Sequence, residues 1–351
     1  MTLMTPQISR RALLGTAAGL AATASVPAWA QGAAGGVVNL YTGRHYDTDE
    51  AIYTNFTKAT GIKVNRIEGE ADALLQRIRT EGANSPADVF VTVDAGRLWR
   101  AHAAGVLQPV KSAALEAAIP AHFREPEGHW FGLSKRARVF IYDKAKFNPA
   151  DAPTYESLAD PKLKGKVVIR SSTNVYNQSL TGAMIAVHGE AKTEEWARGL
   201  AANLARPPRG GDRDQFYAVA AGEGEIAVVN TYYYANLFRS NEAKDKDVLA
   251  KTGIIFPNQR DRGTHVNISG AGVVKTAPNK ANAIRFLEYL ASPEAQTIFA
   301  EGNSEYPVVR GTKLVAALQQ FGEFREDTLS AATFGQNNEA ALRLTDRAGW
   351  K

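Results

Sequence analysis

From residue 37 onward, short apolar runs alternate with stretches whose apolar residues recur every three or four positions. The run VVNLYT at 37–42 predicts a first strand. A helix follows within 44–61, with Asp47 or Thr48 as its cap, Ile52 and Phe56 on its apolar side, and Gly61 at its end. The same unit then recurs as a strand at 62–69 and a helix at 71–82, with Leu74, Leu75 and Ile78 on one side. A buried-looking strand at 87–94 leads into a helix at 95–105. Strands alternating with helices predict an α/β fold, a mostly parallel sheet with helices on both faces.

Near Gly132 the pattern changes. Residues 133–144 read as one long strand able to cross from one lobe to another. A second alternating region follows: a strand at 164–170, helices at about 178–187 and 193–204, a helix at 212–224, a strand at 225–230 and a helix opening at 231. Residues 263–274 form a second crossing strand, and 277–302 give two helices broken near Ser292 and Pro293. The Ala-rich tail from about 313 is predicted helical. Two crossings without a linker predict two lobes built from non-contiguous stretches, 34–135 with 265–312 and 136–264 with 313–351. A ligand belongs in the cleft between such lobes, beside the carboxyl ends of strands.

Composition narrows the class. The chain has 351 residues, 44% hydrophobic and 22% charged, enough for two folded domains. Its formal charge of +5 is spread along the chain without a basic stripe, so nucleic-acid binding gains no support. The absence of cysteine excludes disulfides, thiolate metal sites, a cysteine nucleophile and a lipid-anchored N-terminal cysteine. Arg10 and Arg11 precede an apolar stretch ending in Ala28, Trp29 and Ala30, the pattern of an export signal over 1–30 with cleavage before Gln31. The string SRRALLG favours the twin-arginine route over the plain secretory one. No other segment is long and apolar enough to span a membrane, so a soluble periplasmic protein is expected.

The tyrosines carry the chemistry. Tyr46 follows the first strand, Tyr176 follows the strand at 164–170, and Tyr232, Tyr233 and Tyr234 follow the strand at 225–230. Any single tyrosine is more often a packing residue, because its amphipathic ring buries readily. Three in a row at a helix start point in different directions, and one apolar core cannot take them all. Phenols ionise near pH 10, but a highly charged hard cation such as Fe(III) shifts them to phenolates. Four phenolates around a 3+ ion leave one negative charge, which Arg44, Arg136 or Arg138 is positioned to offset; the alternative for each arginine is a solvated surface charge. His45 is a further metal-ligand candidate, but neighbours in extended chain face opposite sides, which favours Tyr46. His102, His122, His129, His188 and His265 stand singly, with no metal-ligand spacing, and read as ordinary surface or core residues. There is no phosphate-binding glycine loop and no nucleophile elbow, and Asp88 and Asp94 near a strand end do not by themselves make a catalytic pair.

At these residues the sequence resembles the periplasmic ferric-ion-binding proteins of ABC importers. The resemblance runs from VVNLYTGRHYDTD to SEYPVVRG, through LSKRARVFIYDK, ESLADPKLKGKVVIR, VVNTYYYANL and the segment from Asn267 to Gln296. It implies a two-lobed type II periplasmic binding protein fold, each lobe a mixed sheet flanked by helices. It implies a non-enzymatic carrier that captures ferric iron and delivers it to an ABC permease and its ATPase. The family's metal ligands match Tyr46, Tyr176, Tyr232 and Tyr233, while Tyr234 falls where the family varies. His45, Arg136 and Arg44 are possible ligands or neighbours of the metal, and a synergistic anion or water is expected to complete the shell. Asn236 stands where some members carry another arginine near the site. A monomer is expected. The alternatives are the same fold binding a phosphonate-like or sulfate-like anion or a polyamine, and a ferric-phenolate enzyme, which would need open coordination positions and usually histidines beside the tyrosines.

Overall fold

The computed structural model describes residues 35–351 apart from His45. The export signal expected over 1–30 and the side chain of His45 lie outside the described residues. The strands are β1 (Val37–Thr42), β2 (Lys63–Glu68), β3 (Val89–Val93), β4 (Phe131–Asp143), β5 (Val167–Val168), β6 (Ile226–Asn230), β7 (Thr252–Ile255), β8 (Val266–Val273) and β9 (Tyr306–Pro307). The helices begin with α1 (Glu50–Thr60), α2 (Ala71–Glu81), α3 (Ala95–Ala103), α4 (Ala113–Ala118), α5 (Val175–Ala202) and α6 (Asp212–Ala220). They continue with α7 (Thr231–Ala235), α8 (Ala243–Lys251), α9 (Lys280–Leu290), α10 (Pro293–Asn303), α11 (Ala316–Gln319), α12 (Ala331–Gln336) and α13 (Asn338–Arg347).

The strands run in the order β2-β1-β3-β8-β4-β6-β5, with β7 and β9 also on β4. β1 is parallel to β2 and β3, and β5 is parallel to β6, as expected from strand–helix alternation. The two crossing strands correct the expectation of a mostly parallel sheet. β8 is antiparallel to β3, and β4 is antiparallel to β8, β6, β7 and β9. The sheets are therefore mixed, as the resemblance implied.

β4 divides its pairing along its length. Its first half, to Ala137, pairs with β8, and its second half, from Arg138, pairs with β6. The apolar cores divide similarly. One gathers Leu40, Phe90, Trp130, Ile268 and Phe286. Past Arg138 the alternation of β4 sends Phe140 to one face with Trp196 and Val228, and Val139 and Ile141 to the other with Phe216 and Val229. Helices cover both faces, so the strand reads as a continuous apolar run. Each such side chain, fully buried, stabilises the fold by roughly 1.5–3 kcal/mol.

Several elements depart from the sequence pattern for local reasons. Asp47 to Asp49 form a single 3-10 turn before α1, and none of their side chains caps it. Asp49 instead gives its carboxylate to Arg44. Gly61 does end α1, with φ 72°. The strand expected at 164–170 shrinks to two residues, Val167 and Val168, at the sheet's edge. The two helices expected after it are present, meeting within Val175–Ala202 at a kink at Gly189, whose φ of 77° is non-helical. The tail holds three short helices. Ala331 and Phe334 pack in the first core, whereas Leu344 and Trp350 pack beside Trp196.

Candidate functional site

Each candidate tyrosine occupies the turn after a strand. Tyr46 sits just past β1, at the start of the 3-10 turn. Tyr176 is in the first turn of α5, whose cap Asn174 accepts the Tyr176 N–H at 3.0 Å. Tyr232 and Tyr233 open α7 directly after β6. The fold brings all four to one cavity of about 410 Å³, which Arg97 and Asn236 also line. The Tyr176 and Tyr232 hydroxyls are 3.3 Å apart. The Tyr232 and Tyr233 rings lie 4.1 Å between centroids at 34°. Tyr234 points away, its hydroxyl 2.9 Å from Thr252 Oγ1 and its ring among Phe216 and Phe321. That is a packing role.

The cavity resists ionisation of its own phenols. Burial pushes Tyr46 up to about 12, with Glu305 adding to the effect and Arg44 and Arg136 opposing it. Burial, then the neighbouring Tyr176, Tyr233 and Tyr46, raises Tyr232 well above the ordinary phenol value, against Arg136. Burial and Tyr176 also raise Tyr233. At neutral pH these three phenols are therefore protonated until a cation strong enough to displace the protons arrives.

Arg44, Arg136 and Arg138 are buried, at 3%, 1% and 2% exposure, which overturns their reading as solvated surface charges. Arg44 holds Asp49 at 2.9 Å and Glu305 at 2.8 Å, with its guanidinium 4.8 Å from the centre of the Tyr46 ring. Arg136 donates to Ser269 Oγ at 3.0 Å and pairs with Glu305 at 3.8 Å. Its Nε and Nη1 are buried without a hydrogen-bond partner among the described residues. Arg138 pairs with Asp212 and donates to Asn177 Oδ1 at 2.8 Å and Asn230 Oδ1 at 3.1 Å. It thus ties the first turn of α5 to the end of β6, the two places that carry Tyr176 and Tyr232.

Sequence reasoning missed Glu305 and Asp212. Glu305 lies inside the SEYPVVRG string, with no local mark of its role. Asp212 begins α6 with no local mark of its role, yet it receives Arg138 and the Asn230 N–H. Asp88 and Asp94 have structural partners. Asp88 accepts from the backbone N–H groups of Asn39 and Asn279. Asp94 caps α3 and accepts from Ser179 and Asn267.

The chain matches, over residues 84–321, the family described as bacterial extracellular solute-binding protein. It is 51% identical to iron uptake protein A1 of Synechocystis sp. over 314 residues, covering 90% of this chain and 87% of that protein. It is 30% identical to the major ferric iron-binding protein of Neisseria meningitidis serogroup B over 336 residues, covering 94% and 96%. Among solved structures, the Trichodesmium protein in complex with iron and citrate superimposes with a TM-score of 0.88 at 58% identity, covering 90% of this chain and all of that one. The ferric binding protein from Campylobacter jejuni gives 0.84 at 41% identity, over 90% of this chain. The chain therefore belongs to the bacterial extracellular solute-binding proteins, non-enzymatic components of transport with a periplasmic binding protein fold, and within them to the ferric-iron-binding members of iron uptake.

Proposed function

We propose that this protein captures Fe(III) in the periplasm between the phenolates of Tyr46, Tyr176, Tyr232 and Tyr233 and delivers it to an ABC permease in the membrane, whose ATPase drives uptake. The observation that carries the reading is the 3.3 Å approach of the Tyr176 and Tyr232 hydroxyls in a cavity that Tyr46 and Tyr233 also line. Phenol oxygens that close repel once ionised, unless a cation sits between them. Fe(III) is hard and highly charged, and anionic oxygen donors suit it. Arg44 and Arg136 stand beside the site, but Asp49 and Glu305 pair with them, so this cluster is neutral and leaves the single surplus negative charge to be met elsewhere. The unpartnered N–H groups of Arg136 support an anion or water completing the shell, and the Trichodesmium relative, in complex with iron and citrate, is consistent with an anion there.

Closure of two lobes would bury the ion. The division of β4 pairing at Ala137 and Arg138 supports a boundary between 34–135 with 265–312 and 136–264, while the tail 313–351 divides, Ala331 and Phe334 packing in the first core and Leu344 and Trp350 in the second. Tyr46 then comes from one lobe and the other three tyrosines from its partner lobe. Iron bridging them gains affinity only in the closed state, which is what drives a hinge. Export through the twin-arginine route rests on Arg10 and Arg11. Replacing both with lysine should retain the precursor in the cytoplasm; unchanged export would assign the secretory route instead.

The test of the site is visible absorption after adding ferric citrate to the purified protein and to a Tyr232→Phe/Tyr233→Phe double variant. A phenolate-to-iron charge-transfer band in the first, lost in the second, is the expected result. No band at stoichiometric iron would end the tyrosine reading.

A further inference from the structure

Away from the tyrosine cavity, three side chains that look unrelated in the sequence stand together. His102 lies near the end of α3, and Glu125 and His129 flank the tight turn that precedes β4. One ligand atom from each lies within 4.8 Å of the others. The two imidazole rings are 4.4 Å between centroids at 78°. The expectation that these histidines are isolated is thereby corrected: the 26 residues between His102 and His129, which include α4 and the turn, hid the pairing.

The arrangement is held rigidly. Glu125 Oε2 accepts the backbone N–H of Glu127 at 2.8 Å and of His129 at 3.1 Å, and lies 2.9 Å from His129 Nδ1. The Gly128 N–H closes the turn onto the Glu125 carbonyl at 2.9 Å. Gly128 has φ +84°, and a Cβ there would meet the Val110 carbonyl oxygen at 2.3 Å, so the turn has one conformation. Burial opposes ionisation of Glu125, but the hydrogen bonds from His129 and Glu127 outweigh it and keep the carboxyl below its ordinary value.

An ion pair closing a turn accounts for Glu125 and His129 alone. It does not account for His102, whose Nδ1 is buried without a hydrogen-bond partner among the described residues. A buried ring nitrogen left unpaired costs about 1–3 kcal/mol. We propose that His102, Glu125 and His129 form a second cation site, separate from the tyrosines, for a borderline divalent ion such as Zn²⁺. Two imidazoles and a carboxylate suit such an ion better than they suit Fe(III) or Ca²⁺. Tetrahedral bonds of about 2.0–2.1 Å set donors roughly 3.3 Å apart. The ion would take the place of the proton between His129 Nδ1 and Glu125 Oε2, 2.9 Å apart, rotation of the partly exposed His102 ring would close the remaining gap, and a water would complete the shell.

The test is a Zn²⁺ titration of the full chain in two forms, with iron filling the cleft and as the iron-free Tyr232→Phe/Tyr233→Phe variant. Both should bind about one equivalent of Zn²⁺ with micromolar or tighter affinity. His102→Ala and His129→Ala should each weaken it about tenfold or more, while leaving the iron charge-transfer band intact as the sign of a folded chain. His102→Gln serves where His102→Ala unfolds. Co²⁺ added to the iron-free form should give the visible band of a tetrahedral site, absent in the His102 variant. Affinity weaker than about 100 μM, binding that survives both histidine changes, or binding lost with the tyrosines would overturn the proposal.

Discussion

The phenol oxygens of Tyr176 and Tyr232 meet at 3.3 Å across a sequence separation of 56 residues. Neither reaches the other through its own helix. Tyr176 is set by the cap at Asn174, and Tyr232 by the end of β6. Arg138 joins the two through Asn177, Asn230 and Asp212. A buried polar network behind the cavity thus holds the two phenols in place.

Tyr176→Phe should weaken iron binding by about 100-fold or more, beyond the 10–100-fold typical of residues that only support a metal ligand. Tyr234→Phe should leave iron affinity within about threefold and cost about 1 kcal/mol of stability, through loss of its hydrogen bond to Thr252. Competition against citrate measures the first and urea unfolding the second. Equal effects of the two changes on iron affinity would contradict the division between ligand and packing tyrosines.

Iron loading should release protons. Tyr46, pushed up to about 12, is protonated across the physiological range, so the metal must expel its proton on binding. The sign follows directly: higher pH strengthens binding, and lower pH weakens it by about tenfold per unit for each phenol ionised. Proton release per iron, counted at constant pH with ferric citrate as donor, should fall by about one in Tyr46→Phe relative to the unaltered protein. An unchanged count would remove Tyr46 from the coordination shell.

Much of this was legible in the sequence, and the limits have physical causes. Strand–helix periodicity marked β1 to α3 and both crossing strands, because buried strands and amphipathic helices each leave a short-range pattern. The candidate tyrosines stood out because they fall at strand ends and three are consecutive. The burial of Arg44, Arg136 and Arg138 was not legible, since it depends on Asp49, Glu305 and Asp212, as far as 261 residues away. Nor was the meeting of His102 with His129, which depends on how the turn at Gly128 folds back onto α3.

Glu305 is buried at 1% exposure between two arginines that have few other carboxylates. Glu305→Gln leaves Asp49 for Arg44 but no carboxylate within ion-pair distance of Arg136 among the described residues. Removing one partner of a buried charge group costs about 3–5 kcal/mol, because the remaining charge stays desolvated. The iron-free variant should lose about that much in urea unfolding. A loss under about 1 kcal/mol would show that water reaches Arg136 and replaces the carboxylate.

His265 makes stability depend on acid. It is buried at 3% exposure, edge-on to Phe334, and its Nε2 has no partner among the described residues. Burial, with Arg138 and Arg262 adding to it, lowers its folded-state value to about 3. The unfolded chain protonates it near 6.5, so between about 6.5 and 3 the unfolded state holds the extra proton and stability falls as pH falls. The loss between pH 7 and pH 4 from this one group is on the order of 3 kcal/mol. Glu156, lowered to about 2 because the hydrogen bonds from His188 and Asn258 outweigh its burial, adds its own loss at the acid end, below about 4.5. His265→Gln keeps a side chain of similar reach without a titrating proton. Urea unfolding at pH 7, 5.5 and 4 should therefore show a shallower acid slope in the variant, with the difference concentrated below pH 6.5. Parallel slopes for the two proteins would mean that His265 takes up its proton without unfolding the chain, and that the acid sensitivity lies with the carboxylates alone.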